Sequence, residues 1–189
     1  TNNKVSCFTA IYRMSGSQPE YAFSVPVSAP QRGIVSGLYN SYDPTDTERR
    51  TYNWLTVFNP GNTVFSAIVK VYSQDGELKK LIPLALGASQ RTDIALGHEE
   101  HSPVTGVYEI IPANLTQEYG SYAARYNANG EAGFNFAFSL ETLKGSCNEQ
   151  VSSSTMGGAV NWLEVGNPSV KEKRIGIEVR NRFGELLST

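Results

Sequence analysis

Charge is in short supply in this chain. Aspartate, glutamate, lysine and arginine make up only 18% of the 189 residues, and they balance to a net charge of −2 with a pI near 5.7. Globular domains usually carry ~25% charged residues, and nucleic acid or anionic membrane is met by concentrated positive charge. No nucleic-acid partner is therefore expected. The basic pair Arg49 and Arg50 and the run at 171–174 are short enough to be solvated edges or loops. Long hydrophobic runs are missing too: nothing nears the ~18 consecutive apolar residues of a membrane-spanning helix, so membrane insertion is not expected.

Histidine and cysteine are nearly absent. Both histidines sit in Gly97-His98-Glu99-Glu100-His101, an H-x-x-H spacing that differs from the zinc-protease H-E-x-x-H. A polar loop is the expectation there, with His98 and His101 as a weak metal-ligand alternative. Two histidines in one loop leave none for a catalytic triad elsewhere, and no G-x-S-x-G, G-x-G-x-x-G or Walker sequence occurs. The chain is thus expected to be no enzyme and to need no cofactor. Cys7 and Cys147 are far apart without a C-x-x-C motif, which leaves one disulfide and two separate thiols equally open. The opening Thr1-Asn2-Asn3 has neither an initiator methionine nor a signal-peptide pattern, as expected of a processed form or an excised piece.

What is present is repetition. Asn53-Trp54-Leu55-Thr56-Val57-Phe58-Asn59-Pro60 returns 108 residues later as Asn161-Trp162-Leu163-Glu164-Val165-Gly166-Asn167-Pro168, and ten of the 26 positions from 53 to 78 are identical at that offset. A second block recurs: Phe8, Ala10, Tyr12 and Gly16 fall on Tyr122, Ala124, Tyr126 and Gly130, and Tyr21 to Val25 fall on Phe136 to Leu140 after a one-residue shift. Self-similarity at a fixed period marks a repeated structural unit. The expected organisation is a complete unit over 51–142, with partial copies at 1–50 and 143–189. The partial copies either complete a second sandwich together or belong to a longer array.

Period-two alternation makes the units β. Phe134, Phe136, Phe138 and Leu140 share a face, as do Ala67, Val69 and Val71, which is the signature of half-buried strands. Three aromatic rings on one face require burial, and two such faces packed together make a sandwich. The fold expected is all-β: an internally duplicated Ig-like antiparallel β-sandwich of about seven strands from 53 to 140, with at most one helical turn near 115–118. Trp54 and Trp162 are expected in the core, Asn59-Pro60 and Asn167-Pro168 at strand ends, and Asp75-Gly76 in a hairpin.

Residues that occur once are better site candidates than repeated ones. The segment joining the first block to Asn53 is seven residues longer than its counterpart and holds Tyr39, Tyr42, Asp43, Asp46, Glu48 and Arg49. Tyrosine and arginine favour contact surfaces, so these residues form the candidate partner-binding loop. The acidic trio misses the EF-hand spacing and its glycine, so calcium is not assigned.

The N-W-L-x-V-x-N-P opening, the V-K-V-Y-x-x-D-G-E-L that follows it and the later Y-N-A-N-G-E-A-G-F-N-F-A-F resemble tandem Ig-like modules of bacterial secreted and cell-surface proteins. Phe183-Gly184 in place of Asp75-Gly76 departs from that pattern. The resemblance implies an extracellular structural or adhesive module that binds a protein or glycan partner through loops. Two other expectations stand beside it: a carbohydrate-binding accessory domain of a secreted enzyme, with Tyr39, Tyr42, Tyr119 and Tyr122 as an exposed aromatic row, and a self-assembling subunit that exchanges strands in a surface fibre.

Overall fold

The computed structural model describes residues 8–26, 29–42, 51–100, 104–128, 134–142, 163–169 and 171–188. Twelve strands run in chain order: β1 Phe8–Ser15, β2 Gln18–Pro26, β3 Val35–Asn40, β4 Thr51–Phe58, β5 Phe65–Ser73, β6 Leu78–Leu86, β7 Arg91–Ala95, β8 Thr105–Pro112, β9 Gly120–Ala128, β10 Phe134–Glu141, β11 Val179–Arg180 and β12 Leu186–Ser188. All ladders are antiparallel, and no helix occurs among the described residues. The helical turn expected near 115–118 is a tight turn instead, closed by the Gln117 N–H on the Asn114 carbonyl.

Two four-stranded sheets, in orders β10-β9-β4-β7 and β3-β8-β5-β6, enclose one core. Alternation decides what each strand gives to it. Phe65, Ala67, Val69 and Val71 of β5 are buried while Ile68 faces solvent; Leu55 and Val57 of β4 meet them from the other sheet, with Tyr108 and Ile110 of β8 between. The sandwich needs β3, all six of whose residues pair with β8, from Val35 with Ile110 to Asn40 with Thr105. Its lower boundary therefore lies near Gln31, bridged to Tyr119, and not at residue 51. The seven strands expected from 53 to 140 are all present; the eighth lies in the segment read as a partial copy.

Trp54 is not a core residue. Strand parity puts Leu55 and Val57 inward, so Trp54 is half-exposed on the outer face, and its indole N–H donates to the Tyr126 hydroxyl at 3.1 Å. Trp162 lies outside the described residues. Asn59 does close β4: its amide donates to the carbonyls of Thr63, Leu86 and Gly87, and its carbonyl oxygen accepts from the Gly61 N–H.

Two hairpins flank the sandwich. β1 pairs with β2 so that Thr9 faces Val25 and Tyr12 faces Ala22, with a bulge between Arg13 and Met14. β9 and β10 pair Ala123 with Leu140 and Tyr126 with Ala137, with a bulge at Phe134–Phe136. β11 and β12 pair Val179 with Ser188 and Arg180 with Leu186, as β5 and β6 pair Val71 with Lys80 and Tyr72 with Leu78. Turn chemistry matches as well. Ser73 N–H donates to Glu77 O and Asn181 N–H to Glu185 O, both at 2.9 Å, while Gly76 and Gly184 adopt φ of 81° and 84°. That left-handed conformation is where glycine carries no Cβ penalty, so Phe183-Gly184 makes the same turn as Asp75-Gly76 without the aspartate.

Candidate functional site

A buried polar cluster lies at one end of the sandwich, where β3, β4 and β9 meet the segment 163–169. The cause is a break in the inward apolar pattern. On β4 and β9 the inward positions beyond Leu55 and Ala123 are Asn53 and Arg125, which stand opposite each other in register. Asn53 is 2% exposed; its amide donates to the carbonyls of Asn40 and Thr51, and its carbonyl oxygen takes the Arg125 Nε–H at 3.0 Å. The remaining face of the guanidinium is forked onto Glu164, Nη1 to Oε1 at 2.6 Å and Nη2 to Oε2 at 2.9 Å. Asn40 adds an amide donor to the same carboxylate at 2.8 Å.

This is the bidentate geometry that makes arginine–carboxylate pairs both strong and directional. Burial alone would lift the Glu164 carboxyl, but the bonds from Arg125 and Asn40 hold it below its ordinary range. Glu164 is thus an anchored anion. The chain after it turns across the outer face of the β3–β8–β5 sheet, where Gly166 lies so close to Leu38 that a Cβ would displace the end of that side chain. A groove of about 860 Å³ runs between this segment and the sheet, with Lys70, Tyr72, Glu109 and Gln74 among its walls.

On the outer face beside this end, Tyr52 stacks on Tyr126 with ring centroids 5.3 Å apart, and His98 tilts against both Tyr52 and Trp54. His98 Nδ1 accepts the backbone N–H of Asn53 at 3.2 Å. An acceptor nitrogen must be unprotonated, and burial pushes the His98 pKa below its ordinary value, partly offset by Glu99.

The candidate loop residues fare unequally. Tyr39 is 3% exposed, a core residue whose hydroxyl donates to the Tyr72 carbonyl, and burial raises its pKa to about 12 with help from Glu100 and Glu99. It is unavailable to a partner, because as an inward position of β3 it serves the core. Tyr42 is exposed at 37%. Asp43, Asp46, Glu48 and Arg49 lie outside the described residues, as does His101. Among the described residues no three of His, Cys, Asp or Glu come together as a metal site. The expected aromatic row does not form, because Tyr119, like Tyr39, is buried; the aromatics that come together on an outer face are Tyr52, Trp54 and Tyr126.

Asn40, Asn53, Arg125 and Glu164 escaped sequence reading. A signal was there. Arg125 stands where the first block has Ile11, and Glu164 stands where the earlier copy has Thr56. Both are among the positions at which the repeated blocks differ, and the two bind each other.

In class this is an all-β antiparallel protein. No known protein family matches the chain, and no curated protein matches it in sequence. Among solved structures the chain is similar to the crystal structure of Thermotoga maritima 1070, at 9% identity and a TM-score of 0.41, over 60% of this chain and 94% of that one. A likeness this distant carries no argument.

Proposed function

We propose that this chain is a non-enzymatic structural or adhesive module of the bacterial cell surface or secreted space. In this reading an internally duplicated Ig-like β-sandwich holds a protein or glycan partner through its loops. One observation supports it most: the ladder register and bulge of the flanking hairpins repeat those of β9–β10 and β5–β6 at the sequence offsets, and the β11–β12 turn repeats that of β5–β6. A unit repeated along one chain is how extended surface proteins gain length, and the sandwich architecture recurs among cell-surface domains.

A second reading, glycan binding, is favoured by the half-exposed rings of Tyr52, Trp54 and Tyr126 on one outer face. Panels of immobilised glycans and surface proteins, probed with the chain, separate the two. The structural reading expects saturable binding that Tyr42→Ala weakens at least tenfold with an unchanged melting temperature. Loss with Trp54→Ala instead, confined to glycans, selects the second reading. Catalytic turnover of a panel compound would overturn both.

A further inference from the structure

The segment from 163 to 188 is exposed in a way that its sequence contradicts. Leu163, Val165, Ile175, Ile177 and Val179 are 47% to 60% exposed. The residues 108 positions earlier, Leu55, Val57, Ala67, Val69 and Val71, form the middle of the sandwich core and are at most 5% exposed. The same positions carry apolar side chains of equal or greater size, so this segment has the pattern of a buried one and has no cover among the described residues. Twenty-two of its described residues are exposed, within the 20–30 residues per side that a stable interface uses.

The shape of the cover is set by the complete sandwich. There β4 lies between β9 and β7, with Leu55 opposite Ala123 and Thr56 opposite Tyr122. The counterpart of β9 is β1. Its outer edge has no paired strand among the described residues; β2 occupies the other edge and is the strand that lies alongside β10, touching it through Ser139 Oγ and the Ser24 carbonyl. Translating the β4–β9 register puts Leu163 opposite Thr9 and Glu164 opposite Phe8.

One chain does not bring these strands together. Glu164 is clasped by β9 and β3, whereas β1 lies beyond β10 and β2. Pairing between strands needs an approach of ~4.8 Å. The clasp is nonetheless compatible with a partner strand. Successive strand residues point to opposite faces, so Glu164 can hold Arg125 while Leu163 and Val165 face away.

We propose that the cover is a second copy of this chain: the segment 163–165 adds as a strand to the β1 edge of that copy in the β4–β9 register, and the segment 175–179 closes over it. This interface, which rests on the duplicated reading above, is heterologous, since a different surface is used on each side. Such contacts propagate into rings or filaments.

The test introduces Thr9→Cys and Leu163→Cys together in the full chain, with Cys7→Ser and Cys147→Ser. Directly opposed antiparallel residues have Cα atoms ~4.5–5.5 Å apart, within disulfide reach. Mild oxidation should give covalent dimers and higher multiples on a non-reducing gel, at least fivefold more than with Ala10→Cys and Leu163→Cys, a one-residue slip that turns one thiol to the opposite face. A disulfide within single chains would overturn the second copy while leaving the duplicated register intact. Equal linkage by both pairs would overturn the register and the duplication with it. Light scattering on the unaltered chain guards against misfolded variants. Masses above 20.7 kDa that fall on dilution, and a monomer for Ile177→Lys at every concentration, are expected; a monomer for the unaltered chain throughout overturns the proposal.

Discussion

Two asparagines show how one side chain can be indispensable in one setting and dispensable in another. Asn59 is buried and satisfies three carbonyls and one N–H at the end of β4. Removing such a group leaves buried backbone unpaired, at ~1–3 kcal/mol for each group affected, so Asn59→Ala should destabilise the protein by about 3 kcal/mol in urea unfolding. Asn167 makes the same local bonds, to the Lys171 carbonyl and from the Ser169 N–H, but in the open. Water replaces those bonds, and Asn167→Ala should cost no more than ~0.5 kcal/mol. His98 is the residue-scale pH sensor. Its pKa lies below the usual 6.5 because burial disfavours the charged form. The unfolded chain therefore binds this proton more readily, so stability is full above pH 6.5 and declines as pH falls through the folded value. Melting temperatures from pH 7.5 to 5.5 should fall for the native chain, and His98→Gln should flatten that part of the profile.

At the scale of elements, the segment 163–169 is held by a single clasp rather than by a core. Arg125 is 8% and Glu164 23% exposed at the side chain, so the pair is shielded from salt, and its loss strands a buried cation. Glu164→Gln should speed amide exchange across 163–169 by about tenfold, or ~1.4 kcal/mol, with β5 and β8 unaffected. Acid should do the same to the native chain. The Glu164 pKa is lowered by its partners, so the clasp is complete above pH 4.5 and is lost as pH falls through the folded value. Most strands were legible in the sequence because alternation in β5 and β8 reports a face directly. β3 was not, since Val35-Ser36-Gly37-Leu38 mixes small and apolar residues where Tyr108 crosses Gly37 so closely that no Cβ would fit. The clasp was missed for a related reason: charge at an inward strand position looks like an error until its partner, 39 residues away, is found beside it.

For the molecule as a whole, both four-stranded sheets and the core cluster fall within 31–142. A chain of residues 29–142 should therefore fold alone and melt cooperatively by circular dichroism, but with Arg125 deprived of Glu164 it should melt about 10 °C below the full protein, a shift of roughly 3 kcal/mol at this size. The self-similar blocks were readable in the sequence, whereas the place of segment 163–169 depended on one arginine that no periodicity announces. The free side of the second sheet has a consequence of its own. β6 is an edge strand, and it carries Lys79, Lys80 and an exposed Pro83. An arriving strand finds no N–H at the proline and meets hydrated lysine–glutamate pairs beside it, Lys79 with Glu77 and Lys80 with Glu99, and a proline and charged side chains are among the devices by which edges resist pairing. A strand approaching this edge is turned away, so any association between copies has to use a surface other than β6.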